Sequence, residues 1–256
     1  MHKILLFCAA TAACACGELI KPELNMIFED ETAKIFTTRT GVKTADDFFE
    51  QRAYTVACEY ISAQDTQGCA SDLVGRADAA AYVKKNAPRG ESWHVARSYE
   101  LRFLYQRENL LTFFEREEQD FVGAEHGSYN EKYYVYNLNN GKFVKFADLS
   151  KGDVDALFRI IKNKAATLVA QPSSECDYAC QAQNTEEAAD RNFNLNDAGA
   201  REDLLNYASF YYGKTGAVFV SPSYSAAGFR DGITKIEVPF SELKDVVKDE
   251  YLRGYF

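Results

Sequence analysis

The chain has 256 residues, of which 46% are hydrophobic, 14% aromatic and 26% charged. That composition excludes a disordered or collagen-like chain, and the length suits one large domain or two small ones. A formal net charge of −9 argues against a nucleic-acid binder and allows a basic partner. Seven cysteines in an acidic chain make their placement the first feature to explain.

Residues Met1 to Ala15 read as a targeting segment. His2 and Lys3 form a short basic start, and Ile4 to Ala15 is uncharged, matching a signal-peptide core and too short to span a bilayer. Small residues then meet a cysteine in Ala13-Cys14-Ala15-Cys16-Gly17-Glu18, which resembles a bacterial lipobox. Cys16 is the expected lipid attachment, because polar sequence begins directly after it; Cys14 is the competing position. Cleavage before Cys16 removes Cys8, Cys14 and one lysine, so the mature chain is one unit more acidic. Cys58, Cys69, Cys176 and Cys180 then remain for disulfides in an oxidising compartment. The two local pairs, Cys58–Cys69 and Cys176–Cys180, are the expected connectivity. Neither spacing is the CxxC type that zinc favours, so no metal or other cofactor is expected.

The elements follow in chain order. Leu24–Thr40 is β-branched and aromatic around an acidic turn at Glu29-Asp30-Glu31, which predicts two strands. Thr44 is a good N-cap for a helix over Ala45–Ala63, with Phe48, Ala53, Val56, Tyr60 and Ile61 at helical spacing. A break at Gln64–Gly68 precedes an Ala-rich helix over Ser71–Asn86. Trp93–Glu108 alternates around Val95, Tyr99, Leu101, Phe103 and Tyr105, and Glu108-Asn109 turns it into Leu110–Val122. The run Glu115-Arg116-Glu117-Glu118 reads as a solvated strand end. Tyr129–Asn139 and Lys142–Phe146 form a hairpin about Asn139-Asn140-Gly141. Along it, Tyr134 and Tyr136 share one face and Tyr133 takes the other, core packing being the expected role of most of them.

Asp153–Ala170 is an amphipathic helix with Val154, Leu157, Ile160, Ile161 and Leu168 on one face. A polar insertion near 171–200 follows. Strands are predicted over Tyr207–Tyr212, Ala217–Ser221 and Ile233–Pro239, and a closing helix from a Ser241 cap through Lys248. The expected fold class is α+β, an antiparallel sheet packed with a few helices in a single main domain. The chain divides into a leader at 1–15, a strand and helical region at 16–92 and a larger part at 93–256.

The segment from Phe121 to Leu149, with His126-Gly127 between two aromatic strands and the Asn139-Asn140-Gly141-Lys142 turn, resembles the core of the family called domain of unknown function 3298 (DUF3298). Phe210–Phe219 is similar to that family's late strand pair, and Pro222–Leu243 to its C-terminal segment. The likeness runs from about Trp93 to Leu252. The chain departs from the family's Gly-Gly-Ala-His with Gly123-Ala124-Glu125-His126. The resemblance implies an extracytoplasmic α+β module of the kind in the RsiV C-terminal region, which binds lysozyme, and in the N-terminal region of the PdaC deacetylase, whose activity lies in a separate domain.

Candidate chemistry is sparse. The mature chain holds two histidines, His94 and His126. Gly123, Glu125, His126 and Gly127 form either a possible ligand loop or a plain turn. There is no GxSxG elbow, and Gly213-Lys214-Thr215-Gly216 lacks the spacing of a phosphate loop. The expectation is a non-catalytic, lipid-anchored binding module of the bacterial periplasm or cell surface, with a basic lysozyme-like protein or peptidoglycan as partner. The competing expectations are a cell-wall-modifying enzyme using Glu125 and His126, and a structural envelope lipoprotein.

Overall fold

The computed structural model describes residues 19–62, 64–87, 94–121, 127–169, 209–220 and 235–253. The leader, Cys16, Cys176, Cys180, the polar insertion and positions 122–126, with Gly123, Glu125 and His126, lie outside them. Among the described residues no helix is long and apolar enough to cross a membrane.

The fold is α+β. Strands β1 (Glu23–Glu29), β2 (Ala33–Arg39), β3 (His94–Arg107), β4 (Leu110–Phe121), β5 (Ser128–Asn137) and β6 (Lys142–Phe143) form one six-stranded sheet in that spatial order. Each neighbouring pair is antiparallel except β2 and β3, which run parallel. A parallel pair needs a crossover, and helices α1 (Lys43–Tyr60), α2 (Thr66–Leu73) and α3 (Ala79–Asn86) supply it. The 16–92 region thus contributes two strands to the sheet built by the later residues.

Helix α1 begins at Lys43, before the expected Thr44 cap, and Val42 makes no side-chain capping bond. The entry is fixed by Asp46 instead, whose carboxylate accepts from the backbone N–H and hydroxyl of Thr40 and from the N–H of Gly41. Gly41 takes φ +81°, which suits a residue without Cβ. Fully buried Phe49, Ala53 and Ala57 form the helix face on the sheet, while Phe48 stands at its rim. The predicted helix over Ser71–Asn86 is two helices. Asp65 caps α2 through the N–H of Gly68, and Gly75 at φ +76° separates α2 from α3. Cys58 and Cys69 form a disulfide that ties α1 to α2.

The other face of the sheet meets a second, three-stranded antiparallel sheet of β7 (Ser209–Tyr212), β8 (Gly216–Val220) and β9 (Lys235–Pro239). Phe210, Phe219 and Ile236 line up across it, as do Tyr212, Ala217 and Val238. These rows pack with α4 (Phe146–Leu149), α5 (Val154–Val169) and α6 (Phe240–Leu243) in a second core. Leu157 and Ile161 of α5 are buried in it, and Val154 and Ile160 pack against it; the side chain of Leu168 lies outside the described part. Phe146 begins α4 rather than ending a strand. The closing helix is short: Ser241 lies inside α6, and a separate 3₁₀ turn covers Asp249–Tyr251.

One extra residue makes β3 serve both cores. The β3–β4 register shifts between Phe103 and Tyr105, with Leu104 as the bulge. Tyr99 and Leu101 face α1, whereas Tyr105 turns to the opposite face, contrary to unbroken alternation. Its hydroxyl donates to the Tyr212 carbonyl at 2.7 Å and accepts from the Tyr212 N–H at 2.9 Å, plugging the free edge of β7. Nearby, Ser209 Oγ accepts from the Tyr133 N–H at 2.6 Å and the Tyr133 and Tyr211 rings lie 4.4 Å apart.

Tyr105→Phe leaves two edge groups of β7 without a partner. Urea unfolding should show a loss of about 1–3 kcal/mol, against almost none for Tyr133→Phe. Equal effects would refute the edge-plug account. Replacing Cys58 and Cys69 together by Ala should lower stability by about 2–3 kcal/mol on a chain-entropy argument, readable as a lower midpoint than that of the oxidised protein.

Candidate functional site

The charged residues of the central strands are engaged rather than solvated. Glu115 is 4% exposed, on the face of β4 that α1 covers, which corrects its reading as part of a solvated strand end. Arg52 of α1 donates to Glu115 Oε1 through Nε at 2.9 Å and a terminal nitrogen at 2.5 Å. The Tyr134 hydroxyl donates to the other oxygen, and Lys132 lies opposite Glu115 in the β4–β5 ladder. Burial disfavours the charge on Arg52, yet the Glu115 carboxylate outweighs it and holds the guanidinium above its ordinary pKa. Burial, reinforced by Glu115, pushes the phenols of Tyr99 and Tyr134 well up. Burial and then the charge of Arg52 bring Lys132 down.

The seam continues toward the far end of the sheet. Arg97, 4% exposed, binds both Glu59 of α1 and Glu117 of β4, the latter at 2.8 Å. Beyond it, Asp30 organises the β1–β2 turn. Its carboxylate accepts from the N–H of Thr32 at 2.8 Å, the N–H of Ala33 at 2.7 Å and the Tyr60 hydroxyl at 3.1 Å. Burial raises its pKa, but the Thr32 and Ala33 N–H groups and the two hydroxyls outweigh that and leave it below the ordinary value.

These residues border a cleft of about 230 Å³ lined by Asp30, Glu31, Thr32, Ala33, Lys34, Arg97, Ser98, Glu118 and Asp120. Four carboxylates face two cations there. Arg97 is already held by Glu59 and Glu117, and Lys34 by Glu29 at 3.1 Å. Gly127 reaches the same end. A Cβ on it would come 2.2 Å from Asp120 Oδ1 and 2.5 Å from the Gln119 carbonyl, so only glycine fits without a shift. Of the predicted ligand loop only Gly127 is among the described residues, and it packs against Asp120 of the cleft.

Among the described residues no group of three or more His, Cys, Asp or Glu is arranged to hold a metal. His94 opens β3. Tyr134 and Tyr136 pack in the helix-side core, while Tyr133 stacks toward the second sheet, so these rings are packing residues rather than an exposed partner surface. The acidic end is not legible in the sequence because the β1–β2 turn, Arg97 and the pair Glu118 and Asp120 are distant from one another along the chain. The clue available is that Glu118 and Asp120 share one face of β4 by alternation.

No family model and no curated protein sequence matches the chain. Among the solved structures that share its fold are two DUF3298 proteins. A DUF3298 family protein from Pseudomonas aeruginosa PAO1 is 13% identical, over 90% of this chain and 94% of that one, with a TM-score of 0.55. A DUF3298 family member from Bacteroides fragilis NCTC 9343 is 20% identical, over 91% and 95%, with a TM-score of 0.51. The chain has a DUF3298-like fold. At such identities the likeness is one of architecture.

Arg52→Met would strand a buried carboxylate and should cost about 2–3 kcal/mol, below the usual ~3–5 kcal/mol because Arg52 still reaches solvent. Arg52→Met with Glu115→Met should recover most of that loss in urea unfolding; additive losses would refute the coupling. Asp30 gives a pH signature. Its depressed pKa contributes stability that is present above the ordinary value of 3.8 and lost as pH falls through the lower folded value. Asp30→Asn should flatten the acid limb of stability below about pH 4, and identical limbs would exclude the assignment.

Proposed function

We propose that this chain is an exported, lipid-anchored, non-catalytic binding module. It holds a basic protein of the lysozyme type at the acidic end of its six-stranded sheet. The observation that carries the reading is the open cleft where Asp30, Glu31, Glu118 and Asp120 meet while its arginine is bound elsewhere; Arg116 answers Glu118, and Glu31 and Asp120 stand exposed. A cationic surface brought to that cleft meets these exposed carboxylates, and the acidic chain steers its approach. The leader, the expected lipid on Cys16 and the Cys58–Cys69 disulfide support an oxidising, extracytoplasmic setting.

Calorimetric titration with hen egg-white lysozyme tests the binding. Binding should weaken as salt is raised from about 50 to about 300 mM, and Glu118→Lys with Asp120→Lys should weaken it by about tenfold or more. No binding at low salt, or no effect of charge reversal, would overturn the reading. Mass spectrometry of the mature N-terminus tests the anchor: a diacylglyceryl-modified Cys16 is expected, and an intact Met1 would refute it.

A further inference from the structure

We infer that the opposite end of the six-stranded sheet is a membrane-docking surface, whose occupant is the interfacial zone of the phospholipid bilayer. This rests on the reading of Cys16 as the lipidated residue. Leu19, Leu24 and Leu104 are 74%, 66% and 41% exposed, and the other exposed large hydrophobics among the described residues, Phe48 and Tyr82, are each 37%. The three leucines share one end. Leu24 faces Thr38 across the β1–β2 ladder, and Phe36, two residues earlier in β2, is level with Glu100 of β3. Arg102 and the Leu104 bulge continue β3 past that level, and the Ile20 N–H is held by the Gln106 side chain at 3.0 Å.

A groove of about 450 Å³ runs between these strands, with Leu24, Met26 and Phe36 along it and Lys34 and Arg102 at its rim. Arg102 lies 5.8 Å from the centre of the Phe36 ring. Lys34 and Arg102 each hold a carboxylate, Glu29 at 3.1 Å and Glu100 at 2.5 Å, and remain more than half exposed. An aromatic and leucines flanked by such amphipathic side chains suit the boundary between acyl chains and headgroups, where their stems lie along apolar surface.

Where the chain enters the fold decides the occupant. Leu19 is three residues after Cys16, so about 10 Å of fully extended chain separates it from the lipid. A tether that short brings this end, and not the acidic one, against the bilayer. A second copy fits poorly. Antiparallel pairing of two β1 edges about Met26 would set Glu23 of one chain near Glu29 of the other, like charges across a ladder.

The test uses the lipidated protein in phosphatidylcholine–phosphatidylglycerol vesicles with brominated acyl chains. Leu24→Trp places a fluorophore on the proposed surface, and Glu31→Trp places one in the exposed β1–β2 turn at the acidic end. Emission is read as the difference from the wild type, which carries Trp93. The Leu24→Trp signal should be quenched by about half or more, and the Glu31→Trp signal left nearly unchanged. Quenching of neither, with mass spectrometry showing lipid on Cys16, overturns the docking surface and leaves the anchor standing. Equal quenching of both overturns the orientation. An unmodified Cys16 removes the anchor and this inference with it, while a dimer that shields Leu24 without lipid assigns the surface to a second copy instead.

Discussion

A carboxylate buried beneath a helix must have its charge answered locally, and much of this protein is arranged around that need. Glu115 sits in the middle strand of the β3–β4–β5 meander with Leu101 and Lys132 beside it in the ladder. Arg52 descends from α1 to meet it and Tyr134 closes the remaining oxygen. Because Arg52 has one place to go, the helix has one rotation and one height over the sheet. Phe49 then lands 4.6 Å from Phe113, and the small Ala53 and Ala57 permit close approach. A purely apolar interface would tolerate sliding; a buried ion pair with fixed donors does not.

The same orientation sets the electrostatics of the far end. With α1 fixed, Glu59 reaches Arg97, which also takes Glu117. The strongest local cation is thereby withdrawn from the cleft, and the exposed Glu31 and Asp120 define its potential. At the other end the uncovered sheet face presents leucines and Phe36. The sheet is a spacer with an apolar end and an acidic end, and a seven-residue β1 sets a separation of about 23 Å between its ends.

Most strands were legible because alternation and turn chemistry are local. Glu108-Asn109 and Asn139-Asn140-Gly141 sit between strands as their residue types dictate, and the DUF3298-like architecture followed from the order of these pieces. Three kinds of feature were not legible. The Leu104 bulge breaks no sequence rule, so plain alternation puts Tyr105 on the wrong face. The split between α2 and α3 turns on Gly75, a single residue in an Ala-rich stretch that otherwise favours helix. The pairing of Glu115 with Arg52 spans 63 positions, and a run of charges looks solvated until a helix is laid on it. The site was the least legible part, because its carboxylates come from the β1–β2 turn and from β4, far apart in the chain.

The parallel contact between β2 and β3 also imposes an order of events. Ala33 pairs with Arg97, and the three crossover helices lie between them in the chain. The β3–β4–β5 meander closes through short turns, whereas β2 can join only after the intervening segment has compacted, a costlier closure. As the chain is made from its N-terminus, the β1–β2 hairpin forms first and has no sheet to complete until β3 follows. Until then both edges of that hairpin are unpaired, and that interval is when the chain is most open to pairing with a strand of another molecule.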